Sequence, residues 1–253
     1  MLEVKDLRQT YGRRGPEVLR GIDMTVREGA VTALIGANGA GKSTLVGVMS
    51  NLIPPSSGHV LLDGVELGGI DRRDAAKKIA VLKQTHHISI RVTVNDLVEF
   101  GRFPHCAGRL SETDRAKAEE AMEYMRVADL RGRYIDQLSG GQRQRAFIAM
   151  ILAQDTHYVF FDEPLSSLDI KYSAEMMRII KKLAAELGKS VIVVLHDLNF
   201  AAAFADHIAA MKDGRIVREG PPREMISKEV LDYVFDHDFR IISDGGSPVC
   251  MYT

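Results

Sequence analysis

The chain has 253 residues, 45% of them hydrophobic, with 33 basic and 34 acidic side chains and a net charge of −1. That length implies one large domain or two small ones, with enough apolar mass for a sizeable core. The balanced charge argues against a non-specific nucleic-acid binder. Two distant cysteines, Cys106 and Cys250, make a disulfide framework unexpected and suit a reducing compartment. Met1–Asp6 shows no apolar run behind a basic one, so no secretory signal is expected, and no apolar stretch approaches the roughly 18 residues that span a bilayer. The expectation is a chain soluble by itself, with any membrane role exercised through a partner.

Leu2, Val4 and Leu7, then Val18, Ile22, Met24 and Val26, alternate with polar residues as half-buried strands do, on either side of a turn at 10–16. Val31–Ile35 is nearly all apolar, the pattern of a strand buried on both faces. It runs into Gly36-Ala37-Asn38-Gly39-Ala40-Gly41-Lys42-Ser43-Thr44, which has the form G-x-x-x-x-G-K-S. In such a phosphate loop the glycines let successive N–H groups wrap the β- and γ-phosphates, the lysine adds a point charge, and the serine hydroxyl can ligate Mg²⁺. The strand before and the helical run after (Leu45, Val46, Val48, Met49, Leu52) supply the context the motif requires. The loop establishes nucleotide binding and leaves the reaction open.

Pro54–Gly58 breaks the helix, residues 60–64 read as strand and turn, and Asp71 to Lys78 as a short helix. Ile79–Leu82 is another apolar strand, with Gln84 two residues beyond. A helical insert follows. Thr93-Val94-Asn95-Asp96 offers a capping-box start to a helix that stops near Gly101, and Ser111–Asp114 caps a second, with Ala118, Ala121, Met122 and Met125 on one face. His86, His87, His105 and Cys106 fit no zinc spacing and read as surface residues near a contact loop.

Leu138-Ser139-Gly140-Gly141-Gln142-Arg143-Gln144-Arg145 opens an apolar helical run, with Ser139 as its cap. A helix N-terminus opened by Ser-Gly-Gly is an anion site, because its first N–H groups are unpaired and its dipole end is positive. Tyr158–Phe161 reads as a buried strand ending in Asp162-Glu163. Because adjacent strand residues point to opposite sides, that pair can divide its roles, one carboxylate towards Mg²⁺ and one towards an attacking water. Leu165–Asp169 reads as a loop, Ser173 as the start of a long amphipathic helix (Met176, Ile180, Leu183, Leu187) and Gly188 as its stop. Val191–Leu195 is a further buried strand, with His196 at its end, where a γ-phosphate sensor would sit. Residues 207–218 read as a hairpin around Asp213-Gly214; the tail from Pro221 carries helical fragments, a final strand pair and no evident chemistry.

Six elements stand in one order: Tyr11, the 36–44 loop, Gln84, 138–145, 158–163 with Asp169, and His196. That order resembles the nucleotide-binding subunits of ATP-binding-cassette (ABC) transporters over nearly the whole chain. The resemblance implies an α/β P-loop NTPase with a mixed parallel sheet core, an N-terminal antiparallel β subdomain and a helical subdomain. It divides the chain into a core of 1–84 and 157–220, a helical part of 85–156 and an extension of 221–253. It implies ATP held by Tyr11, Gly36, Asn38, Gly39, Gly41, Lys42, Ser43 and Thr44. Ser139, Gly140, Gly141 and Gln142 would meet the ATP of a second copy, and Asp169 would lie in the loop joining the two sites. Glu163 would be the catalytic base, assisted by Lys42, His196 and Gln84, and Ser43, Gln84 and Asp162 would hold Mg²⁺. Leu165 departs from the threonine many relatives carry, and no role falls on it.

The run Val94–His105, with Leu152–Asp155, Glu163-Pro164-Leu165 and His196–Ala201, is similar to ATPase subunits of iron-siderophore, haem and cobalamin importers, nearest to the catecholate-siderophore type. The resemblance implies a membrane permease docked on the Gln84–His105 region and, indirectly, an external substrate-binding protein. It places the chain peripherally on the cytoplasmic face of a bacterial or archaeal membrane, with no nucleic-acid partner. The rival reading is a soluble ABC ATPase acting on nucleic acid or ribosomes. Such proteins usually carry a long coiled coil or a second cassette, and only 55 residues separate Gln84 from Ser139.

Overall fold

A computed structural model describes residues 1–12, 15–83, 91–106, 108–166, 168–244 and 247–252, the side chains of 243, 244, 247 and 252 excepted. The chain opens with β1 (Leu2–Thr10), β2 (Glu17–Thr25), β3 (Val31–Ile35), α1 (Lys42–Met49), β4 (Ser57–Leu62) and β5 (Val65–Glu66). Then come α2 (Arg72–Ala76), β6 (Ile79–Leu82), α3 (Val94–Phe100), α4 (Phe103–Cys106), α5 (Glu112–Tyr124), α6 (Gly140–Ala153) and β7 (Tyr158–Phe161). The remainder is α7 (Ile170–Ala185), β8 (Ser190–Val194), α8 (Leu198–Phe204), β9 (His207–Lys212), β10 (Arg215–Gly220), α9 (Pro222–Met225), α10 (Lys228–Phe235), β11 (Phe239–Asp244) and β12 (Ser247–Tyr252). These form two compact units, Met1–Ile70 with Phe160–Thr253, and Asp71–Val159.

The first unit holds an antiparallel sheet in the order β2-β1-β4-β5 and a mainly parallel sheet in which β10, β9, β3, β8 and β7 follow one another. β3 runs parallel to both β8 and β9, and β10 turns back antiparallel on β9. β3, β7 and β8 are buried at every position, which is why they read as unbroken apolar runs. β1 instead buries Leu2, Val4 and Leu7 and exposes residues between them, the alternation of a sheet covered on one face. Its register on β2 shifts between Val4 and Leu7, which explains the slip in the sequence pattern.

The second unit is built on α3, α5 and α6, each opened by a capping box: Thr93 with Asp96, Ser111 with Asp114, and Ser139 with Gln142. Asp114 does double duty. It accepts from the Ser111 N–H (3.0 Å) and hydroxyl (2.6 Å), and from Arg102 Nε (2.9 Å), while Arg102 Nη1 donates to the Ala153 carbonyl at the end of α6 (2.8 Å). Both side chains of this ion pair are over 90% buried. The Ser111 hydrogen bonds, helped by Arg102, hold the Asp114 carboxyl down at about 2.

Helix boundaries differ from the sequence reading: α1 stops at Met49, short of Leu52, and α2 is confined to Arg72–Ala76. α7 begins at Ile170 rather than Ser173, because Asp169 caps it by accepting the Tyr172 N–H (3.0 Å). Asp169 is therefore a helix cap as well as a loop residue.

Candidate active site

β3 delivers the chain into the phosphate loop at its C-terminal end. Gly36 has φ 147°, and a Cβ there would lie 2.2 Å from the Met211 carbonyl oxygen. Gly41 has φ 101°, and a Cβ there would lie 2.9 Å from Leu19 and 3.0 Å from the Val18 carbonyl. Only glycine fits either position, so both glycines of the motif are steric demands of this fold. Gly41 caps α1 with no side chain, and the first turn holds no acidic residue. The opening amides of α1 therefore stay available to an anion. Lys42 is 5% exposed, and its Nζ donates to the carbonyls of Gly36 (2.8 Å) and Ala37 (3.0 Å). Burial pushes the Lys42 ammonium pKa down, and the carboxylates of Glu163 and Asp162 counter that effect. Ala37, Asn38 and Gly39 form the exposed rim of the loop. Tyr11, half exposed, has its hydroxyl 3.2 Å from Thr44 Oγ1 in the first turn of α1.

The two carboxylates arrive from β7 and separate at once. Asp162 accepts from the Ser43 hydroxyl at 2.8 Å. Glu163 turns the other way and lies 2.8 Å, Oε1 to Nε2, from His196, which follows β8. Strand alternation does not cause this division, as the sequence reading assumed, because β7 ends at Phe161. Glu163 instead takes a left-handed backbone, φ 52°, and its carbonyl is pinned by the Ser166 N–H (3.2 Å) and hydroxyl (3.0 Å). A bulky residue in that region is strained by about 1–3 kcal/mol, and such strain clusters at functional sites.

Ser43 and Asp162 converge as an oxygen-only pair, a donor set that suits Mg²⁺. Gln84, the third residue expected at the metal, lies outside the described residues, as do His86 and His87. Of the other residues weighed as metal ligands, His105 is engaged at the Gln154 carbonyl (2.9 Å) and Cys106 is a half-buried free thiol.

In the second unit Ser139 accepts the Gln142 N–H (3.4 Å) and donates its own N–H to the Gln142 side chain (3.1 Å). Ser139 and Gly140 are exposed at the head of α6, and Gly141 is buried. Sequence reasoning missed α8 and its cap. Asp197 accepts from the N–H groups of Asn199 (2.8 Å) and Phe200 (3.1 Å), capping a helix that begins two residues after His196. The signal was present in Asp197 as an N-cap residue, but α8 itself (Leu-Asn-Phe-Ala-Ala-Ala-Phe) has almost no polar face to give it a period.

A phosphate loop at the end of β3, with a carboxylate pair and a histidine closing on it from β7 and β8, defines a P-loop ATPase of the cassette type. The ABC transporter family matches residues 19–166, more than half of the chain. The chain belongs to that family, whose members bind ATP and hydrolyse it to power transport. It is 51% identical over 236 residues to the petrobactin import ATP-binding protein YclP of Bacillus subtilis (strain 168), covering 93% of each chain. It is 37% identical over 244 residues to the ferric enterobactin transport ATP-binding protein FepC of Escherichia coli (strain K12), covering 95% of this chain and 90% of that one. Among solved structures it is similar to the ATP-binding cassette MJ0796, seen as a dimer in a post-hydrolysis state with ADP and Pi. That match has a TM-score of 0.76 and 31% identity, and covers 88% of this chain and 99% of that one.

Proposed function

We propose that this chain is the ATP-hydrolysing subunit of a membrane importer for an iron-siderophore or a similar iron chelate, haem or cobalamin. The reading of the chemistry is carried by one arrangement: Ser43 on Asp162 and His196 on Glu163, converging at the ends of three strands of one sheet. The cargo class rests on relatives named for petrobactin and ferric enterobactin import.

ATP binds through Lys42 and the amides at the head of α1, with adenine stacked on Tyr11. The carbonyls of Gly36 and Ala37 hold Lys42 in place for this, so the ammonium is positioned before the phosphates arrive. Ser43 and Asp162, with Gln84, are the residues that would hold Mg²⁺, which when bound neutralises charge on the β- and γ-phosphates. Glu163 orients and deprotonates the attacking water. His196 fixes the Glu163 carboxylate and faces the γ-phosphate. Ser139, Gly140, Gly141 and Gln142 close over the ATP of a second copy, so each site takes its phosphate loop from one chain and its helix cap from the other. Closure of the pair drives a permease that docks on the Gln84–His105 region, and an external binding protein delivers the cargo. No described helix is long and apolar enough to cross a membrane. The chain then works peripherally, on the cytoplasmic face, through the permease.

The test is uptake of a ferric catecholate siderophore by a strain lacking this chain. Restoration by the wild-type chain and not by Glu163→Gln supports the reading; equal uptake with and without the chain overturns a ferric catecholate as the cargo.

A further inference from the structure

The C-terminal hairpin of β11 and β12 is tied to α8 by one side chain. Asn199 Nδ2 donates to the Cys250 carbonyl (3.1 Å), and the Cys250 N–H donates to Asn199 Oδ1 (2.8 Å). The amide thus imitates a strand neighbour, satisfying both backbone groups of one β12 residue. In an antiparallel pair a residue's N–H and C=O point to the same side. Cys250 therefore turns both towards α8 and neither towards its β11 partner Ile241. The hairpin's inner face, Phe239 and Cys250, is buried, while Arg240, Ile242, Val249 and Met251 face outward. A two-stranded sheet is marginal alone, and this one is seated on the rest of its unit along that face.

The same residue begins the helix that follows His196. Asn199's own N–H is held by Asp197, the N-cap, and Asp197 is bonded covalently to His196. α8 packs against β3 as well as β12, and β3 is the strand that carries the phosphate loop. The start of α8 is therefore fixed from the hairpin side by a paired amide and from the sheet side by packing. A continuous path of bonds runs from Cys250 through Asn199 and Asp197 to His196, and from His196 to Glu163.

We propose that Asn199 is a positioning residue for ATP hydrolysis: by clasping the Cys250 backbone it makes the C-terminal hairpin a brace that aims His196 at Glu163. The inference rests on the assignment of His196 and Glu163 above. The brace gives the C-terminal hairpin a role at the helix that begins two residues after the reacting histidine. A side-chain amide is suited to the task, since its NH₂ donates and its C=O accepts side by side, matching the N–H and C=O of one strand residue.

The experiment is ATP turnover of the full chain, at concentrations where two copies associate, for a set of substitutions. Asn199→Ala lowers kcat on the order of tenfold, the scale of a small misplacement of a reacting group, while ATP KM stays near wild type. Cys250→Pro removes the donor that meets Asn199 without breaking a bond to β11, and gives a similar loss. Cys250→Ala keeps both backbone groups and keeps wild-type kcat. Assays run below each variant's melting transition; if Asn199→Ala does not fold, Cys250→Pro decides. The discriminating arm is the His196→Ala background, followed by single-turnover hydrolysis. There Asn199→Ala adds no further loss if it acts through His196. A loss that persists undiminished in that background, or wild-type kcat in both Asn199→Ala and Cys250→Pro, overturns the brace. Wild-type turnover of His196→Ala alone would instead overturn the underlying assignment.

Discussion

His196 Nε2 lies 2.8 Å from Glu163 Oε1, joining the residue two beyond β8 to the residue two beyond β7. This contact fixes the one carboxylate that Ser43 does not hold. Replacing the imidazole frees Glu163 without removing any group from the phosphate loop. His196→Ala is expected to reduce kcat on the order of 100-fold, with ATP affinity near wild type. Steady-state hydrolysis alongside equilibrium nucleotide binding checks both halves.

The phosphate loop makes a steric prediction. Gly36→Ala drives a Cβ to 2.2 Å from the Met211 carbonyl, whereas Gly39, with φ 82°, meets nothing within 4 Å. Gly39→Ala carries backbone strain alone, about 1–2 kcal/mol. Gly36→Ala carries that strain plus the clash. Thermal melts of the nucleotide-free chain should rank Gly36→Ala well below Gly39→Ala, and ATP binding should follow the same order.

Asp114 and Arg102 make a pH prediction. The folded carboxyl titrates at about 2 against an ordinary 3.8, so the native state holds this proton more weakly than the unfolded chain. The stabilisation is complete above the unfolded value and is lost as pH falls through about 2. Asp114→Asn should cost about 2 kcal/mol at neutral pH. The gap from wild type should narrow as pH drops from about 4 towards 2, read by denaturant unfolding at each pH.

The shared-site arrangement predicts complementation. Lys42→Ala disables the phosphate loop of its own chain, and Ser139→Arg disables the cap offered to the partner. A mixture of the two keeps one composite site with both halves intact. It should hydrolyse ATP at a substantial fraction of the wild-type rate, while each variant alone is close to inactive.

Much of this site was legible in the sequence, for identifiable reasons. Val31–Ile35 and Tyr158–Phe161 read correctly because strands buried on both faces leave unbroken apolar runs. The strand-to-helix turn at 36–41 was legible because its glycine spacing is demanded by backbone sterics at Gly36 and Gly41. Ser139 read correctly because capping chemistry is local. The failures are those of non-local or atypical geometry. Glutamate has no preference for a left-handed backbone, so nothing in Asp162-Glu163 announced that φ would turn positive at Glu163 and that Ser166 would hold it there. Asp169, placed in a loop, concealed the first turn of α7. Asn199 finds its partner 51 residues away, and no pattern around either residue reveals the pair.

The most direct measurement is ATP binding, dimerisation and hydrolysis by Glu163→Gln. The substitution keeps the size of the side chain and its contact with His196, and removes the basicity. The account predicts that this variant binds ATP, associates into dimers as nucleotide is added, and hydrolyses on the order of 100-fold or more slowly than wild type. Turnover at the wild-type rate would contradict the assignment of Glu163 as the base, and with it the chemistry proposed for the site.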